Sequence, residues 1–166
     1  MAAAERSSTV APLWMAIATF FGAGLSPKAP GTVGTLASMV LWAPLVLLDT
    51  AWWVRLLAVV VVFVIGVFAS NAVCAARGED PQIVVIDEVA GMGVTVLLLG
   101  PSVPALVVAF ACFRLFDISK PWPVSWADQR VHGGLGVMLD DMLAGVYALL
   151  LTTLVVRYAL PALGLS

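Results

Sequence analysis

The chain has 166 residues, 62% of them hydrophobic and 11% charged, where a soluble domain shows about 45–50% and about 25%. No soluble protein of this length could bury so much apolar surface, so lipid must form part of its solvent, and the length suits a single domain over 1–166. A formal net charge of −2 leaves no broad electrostatic footprint for nucleic acid.

Apolar runs cover residues 10–21, 33–48, 52–76, 83–99, 103–116 and 138–156. A bilayer crossing needs about 20 helical residues, within a range of roughly 17–25. The first run follows Arg6 as the apolar core of a signal peptide follows its basic region, but Glu5 offsets that charge. It also leads directly into a Gly/Pro/Thr segment read below as functional, so it is expected to remain in the mature protein. The second run is marginal in length, with Trp42, Trp52 and Trp53 near its far end expected as interfacial anchors. The third and last runs are long enough to cross. The fourth and fifth are short, and Pro101 and Pro104 bracket a tight turn between them. A helical hairpin that enters the membrane without a full crossing is one expectation there. The fold expected is all-α: a polytopic helical membrane protein of about five to six apolar helices with a polar site at one membrane face. Cys74 and Cys112 lie inside apolar runs without metal-type spacing and read as buried thiols.

Laying the runs out as alternating crossings sorts the charges. The side holding the 26–35 segment collects Glu79, Asp80, Asp87, Glu88, Asp117, Asp128, Asp140 and Asp141, eight of the ten acidic residues. It also collects Lys28, Arg77, Arg114, Lys120 and Arg130, five of the eight basic ones, which makes it cytoplasmic by the positive-inside tendency.

Five groups on that side carry chemistry. Asp87-Glu88 and Asp140-Asp141 are adjacent carboxylates within apolar surroundings, where repulsion and desolvation disfavour paired charge. A divalent cation resolves that conflict, and an all-oxygen set selects magnesium, manganese or calcium over zinc. The plainer reading of each pair is acidic decoration of a helix N-terminus. Arg114, Asp117 and Lys120 are spaced i, i+3 and i+6 and would share one side of a helix, two cations flanking a carboxylate as a phosphate site needs. A local salt-bridge ladder is the alternative. Gly31-Thr32-Val33-Gly34-Thr35, after Lys28 and Pro30, offers free N–H groups and hydroxyls for a phosphate, or is a structural turn. His132, the one imidazole, is a candidate proton carrier or a solvated loop residue.

The stretches GAGLSPKAPGTVGTLAS, IDEVAGM, FRLFDISKPWPVSWAD and VHGGLGVMLDDMLAGV occur in order over roughly positions 22 to 147. In these the sequence resembles the phosphatidylglycerophosphatase A family. The resemblance implies an all-helical, magnesium-dependent phosphoric monoester hydrolase of phospholipid biosynthesis in the bacterial inner membrane. Its substrate would be phosphatidylglycerol phosphate and its product phosphatidylglycerol. On this reading Asp87, Glu88, Asp140 and Asp141 are metal ligands, with Asp117 a fifth candidate. Arg114, Asp117, Lys120 and His132 are the catalytic candidates, and Lys28, Gly31, Thr32, Gly34 and Thr35 the substrate-binding ones. Asp117 is not in the DxDx(T/V) setting of aspartyl-phosphate enzymes, which favours direct water attack. Two rivals are a small transporter or channel using intramembrane carboxylates and a CDP-alcohol phosphotransferase, whose Asp-Gly…Ala-Arg…Gly…Asp…Asp pattern is missing. Oligomeric state is not legible.

Overall fold

The structure is a computed structural model and describes residues 10–78 and 81–164. Glu5, Arg6, Glu79 and Asp80 therefore lie outside the described residues. All regular structure among the described residues is helical: α1 (Pro12–Ala18), α2 (Pro30–Leu47), α3 (Trp52–Arg77), α4 (Ile86–Thr95), α5 (Val103–Ser119), α6 (Val124–Arg130) and α7 (Gly133–Leu154). A π-helical segment, Val155–Ala159, and a last turn, Leu160–Ala162, prolong α7.

Among the described residues, three helices are long and apolar enough to cross a membrane: α2, α3 and the α7 rod through Ala162. The protein is a membrane protein. Outward-facing Leu57, Val61, Val64 and Phe68 form a stripe along α3 at helical spacing, the face such a helix turns to lipid. The first apolar run yields only the seven-residue α1, because Phe20, Phe21 and Gly22 all adopt left-handed backbone angles and end it. Val85 N–H then donates to the Ala18 carbonyl at 2.8 Å and ties this turn to the segment entering α4.

The fourth and fifth runs do form a helical hairpin, α4 and α5. Its first arm is buried in protein rather than in lipid. All ten residues of α4 are buried, enclosed by α2, α3, α5 and α7. At 1.5 Å per residue α4 is about 15 Å long, half the roughly 30 Å of a hydrocarbon core, so it cannot span. Glycines set its closest crossing. A Cβ at Gly145 would stand 2.5 Å from the Gly91 carbonyl, and one at Gly91 would stand 2.6 Å from the Asp141 carbonyl. Only two glycines let α4 and α7 come this close, and the contact fixes Asp141 against the first turns of α4.

One sequence expectation is corrected. Trp42 is fully buried rather than interfacial, and its indole N–H donates to the Val89 carbonyl at 2.8 Å. Burial satisfies both the apolar ring and its single donor, which a membrane interface would leave half-solvated. Trp52 and Trp53 are exposed, as anchors would be.

Candidate active site

The starts of α2, α4 and α7 and the end of α5 meet at one end of the bundle around a cavity of about 440 Å³. Its polar walls come from Asp87 and Glu88 of α4, Arg114 and Asp117 of α5, Lys120 just beyond, and Asp140 and Asp141 of α7. Ala29, Pro30 and Gly31 close one side and Gln82 and Val84 another.

Asp87 and Glu88 occupy the first turn of α4, where the helix dipole favours negative charge, and Glu88 N–H donates to Asp87 Oδ1 at 3.0 Å. A cap exposed to water would need no more than that. Here both side chains are buried with Asp141, and one oxygen from each of the three lies within 4.8 Å of the others. Burial, followed by the Glu88 charge, holds the Asp87 carboxyl well above its ordinary range. Burial pushes Glu88 up to about 8, with Asp141 and Asp117 adding to it and the contacts to Asp87 and Arg114 opposing it.

The residues fit a divalent cation. Glu88 Oε2, Asp141 Oδ2 and Asp140 Oδ1 are buried and have no hydrogen-bond partner. Glu88 and Asp141, packed closely with Asp87 and carrying orphaned oxygens, are costly alone and suited to a hard, oxygen-seeking ion. Gly31 matters to the same cradle: a Cβ there would overlap Glu88 Oε1 and come 3.2 Å from Arg114 Nη1.

The basic residues divide between two partners. Arg114 is hydrogen-bonded to Asp117 and lies 3.9 Å from Glu88 Oε1, while its buried Nε has no partner. Lys120 is not on α5 but caps its end with a left-handed backbone angle (φ 41°). That turn carries the ammonium to Asp128 and to Asp140, the latter at 2.7 Å. Partial burial works against the ammonium. The bonds to Asp128 and Asp140 outweigh it and raise its pKa above the ordinary lysine value.

A phosphatidylglycerophosphatase A family model matches residues 16–156. The phosphatidylglycerophosphatase A of Escherichia coli (strain K12) is 40% identical over 135 residues, covering 80% of this chain and 77% of that protein. The chain belongs to the phosphatidylglycerophosphatase A family. A Haemophilus influenzae protein of the same name is 35% identical over 140 residues, 81% of this chain and 83% of the relative. A Bacteroides thetaiotaomicron relative, 40% identical over 145 residues (81% and 88%), carries the provisional name phosphatidylinositol-3-phosphatase. No solved structure matches the chain.

Against the sequence-derived candidates of this family member, the cavity gathers Asp87, Glu88, Arg114, Asp117, Lys120, Asp140, Asp141 and Gly31. Asp140 lies outside the close triad and is engaged by Lys120 instead. Residues 31–35 form no loop: they are the opening turns of α2. Thr35 is buried, its hydroxyl donating to the Gly31 carbonyl at 2.9 Å and accepting from Arg114 at 3.5 Å. Gly34 serves packing, since a Cβ there would meet Val85 Cβ at 2.6 Å. Thr32 and the exposed Lys28 do not line the cavity. His132 precedes α7 and borders a smaller neighbouring cavity of about 90 Å³, which shares Asp140 with the larger one.

Sequence reasoning assigned no role to Gln82, Asp128 or Asn71. Asn71 of α3 accepts from Gly134 N–H at 2.6 Å and pins the start of α7 beside the site. Asp128 was legible only as one more charge on the polar face, because its partner Lys120 is reached through the fold.

Proposed function

We propose that this chain removes the terminal phosphate of phosphatidylglycerol phosphate by metal-assisted attack of water, giving phosphatidylglycerol and inorganic phosphate. Family membership supplies the reaction, dephosphorylation of phosphatidylglycerol phosphate to phosphatidylglycerol. The observation that carries the mechanism is the buried Asp87–Glu88–Asp141 group, with orphaned oxygens, beside an arginine in an open cavity at one end of membrane-crossing helices.

Asp87, Glu88 and Asp141 would hold the cation, for which magnesium is the reading that all-oxygen ligation favours. When bound, it supplies charge neutralisation of the phosphoryl oxygens and activation of water. Arg114, with its unpartnered Nε and its position between Glu88 and Asp117, is placed to grip the phosphoryl group. Asp117 orients that guanidinium. Lys120, held between Asp128 and Asp140, keeps a positive charge in the cavity wall and offsets charge that builds up as the bond breaks. The acyl chains stay in lipid while the headgroup enters the cavity. The cavity end carries most of the Lys and Arg, which supports a cytoplasmic orientation in the bacterial inner membrane. A transporter would spread carboxylates through the membrane depth. Every described carboxylate except Asp49 belongs to the cavity end.

Phosphate release from phosphatidylglycerol phosphate in detergent micelles tests this. Release is expected with magnesium and should be lost in EDTA, then return when magnesium is restored. Folded protein that releases no phosphate with any divalent ion would refute the reading. The same assay on phosphatidylinositol 3-phosphate tests the headgroup named for the Bacteroides relative.

Metal affinity should also depend on pH. Glu88 titrates at about 8 in the metal-free protein, so below that value a cation must displace its proton. Affinity is therefore expected to fall as pH drops from 8.5 to 6, by up to about tenfold per unit for each proton displaced. Calorimetric titration with magnesium in buffers of different ionisation enthalpy measures the protons released. A pH-independent affinity without proton release would count against Glu88 as a ligand.

A further inference from the structure

A second cavity, of about 340 Å³, runs along the seam between α2 and α5 and has no charged or hydrogen-bonding side chain in its walls. Leu36, Met39 and Ala43 form one wall, and Leu106, Val107 and Phe110 the other. From the geometry we infer that this seam is the seat of one acyl chain of the lipid phosphate whose headgroup enters the polar cavity, an inference that rests on the phosphatase reading above.

Three observations single it out from the rest of the lipid-facing surface. First, it adjoins the site. The upper end of the groove begins at Leu36, next to Thr35, and at Phe110, one helical turn before Arg114. Thr35 and Arg114 are joined by a hydrogen bond of 3.5 Å, so the same two helices that wall the groove meet at the polar cavity. Secondly, the two helices run in opposite directions, so the groove descends from the site towards Leu47 and Val103. Eleven residues separate Leu36 from Leu47, which at 1.5 Å each gives about 16 Å, the depth of one leaflet in a hydrocarbon core of roughly 30 Å. A chain anchored by its phosphate at Arg114 would fill it along its length. Thirdly, the walls are half-open: Leu36, Val107 and Val103 are each at least 60% exposed, so a chain can slide in sideways from the bilayer without the protein unfolding. The small side chain at Ala43 keeps the middle of the groove clear.

Two measurements test this. The first compares hydrolysis of long-chain and dihexanoyl phosphatidylglycerol phosphate by Ala43→Trp and the milder Ala43→Leu, with Val64→Trp, on the exposed outer face of α3, as control. Filling the groove is expected to raise KM for the long-chain substrate about tenfold for Ala43→Trp, less for Ala43→Leu, with kcat and dihexanoyl hydrolysis within about twofold of wild type; the size rests on the loss of buried apolar contact. Val64→Trp should leave both substrates unchanged. Unaltered long-chain kinetics in both Ala43 variants, or equal losses on both substrates, would overturn the assignment. The second is independent of turnover: phosphatidylglycerol phosphate with a diazirine midway along an acyl chain is photolysed on the wild-type protein in nanodiscs. Labelling concentrated on α2 and α5 around Met39, Ala43 and Val107 is expected. Labelling spread evenly over the outward faces of α3 and α7 as well means ordinary boundary lipid and refutes the groove even if hydrolysis proceeds. Concentrated labelling without phosphate release would instead keep the groove and overturn the phosphatase reading.

Discussion

Asp141→Asn is expected to reduce phosphate release at least about 100-fold while leaving the metal-free protein as stable as wild type or more so. Asp141 is 3% exposed and shares a 4.8 Å cluster with Asp87 and Glu88. Loss of groups that merely orient a metal ligand typically costs about 10–100-fold, so loss of a ligand itself should exceed that. The stability half of the expectation follows from the same geometry. Three carboxylates buried together repel one another and lose hydration, and Asp141 Oδ2 has no hydrogen bond to offset either cost. An amide keeps the shape and removes one charge. Phosphate assays with magnesium, together with thermal unfolding in EDTA, measure both quantities on one preparation. Retained activity would remove Asp141 from the site. Activity lost together with a large fall in melting temperature would mean that the carboxylate serves the fold rather than the reaction.

At the other end of the bundle, Arg55→Met is expected to destabilise the protein by about 2–4 kcal/mol, the largest stability effect outside the site. Arg55 is 2% exposed. Its guanidinium donates to the carbonyls of Val96 (3.3 Å), Leu97 and Leu99, the turn that ends α4, and to Thr50 Oγ1 at 3.3 Å. The last carbonyls of a helix have no partners within it, and the negative end of its dipole attracts a cation. Arg55 answers both needs at the end of α4. The 3.8 Å approach to Asp49 adds little, since that carboxylate is 73% exposed. Methionine preserves length and apolar packing but takes this donor from the Leu97 and Leu99 carbonyls, while Val96 keeps the N–H of Leu99. Equilibrium unfolding in detergent measures the loss. A change below about 0.5 kcal/mol would mean that those carbonyls find other donors.

Much of this was legible in the sequence. Composition demanded a lipid environment, the apolar runs marked the long helices, and alternation placed Asp87, Glu88, Asp117, Asp140 and Asp141 on one side. The motif stretches carried the family. What the sequence could not specify is the rotation of each helix about its own axis. Neighbouring helical residues point about 100° apart, so Asp140 and Asp141 cannot both face one partner equally. The Gly91–Gly145 crossing sets α7 so that Asp141 joins the pair on α4 and Asp140 turns to Lys120. Likewise, Lys120 reads as the third member of a helical stripe until the left-handed turn at its backbone swings it to Asp128 and Asp140. Trp42 looks interfacial by position, yet it is buried to satisfy a backbone carbonyl of α4, and Arg55, to which sequence reasoning assigned no role, is buried against the turn that follows α4. Sequence alone thus determined the solvent, the helices and the side on which chemistry gathers. Only tertiary packing decided which carboxylates meet, because that depends on how closely α4 and α7 approach and at what angle their side chains are presented.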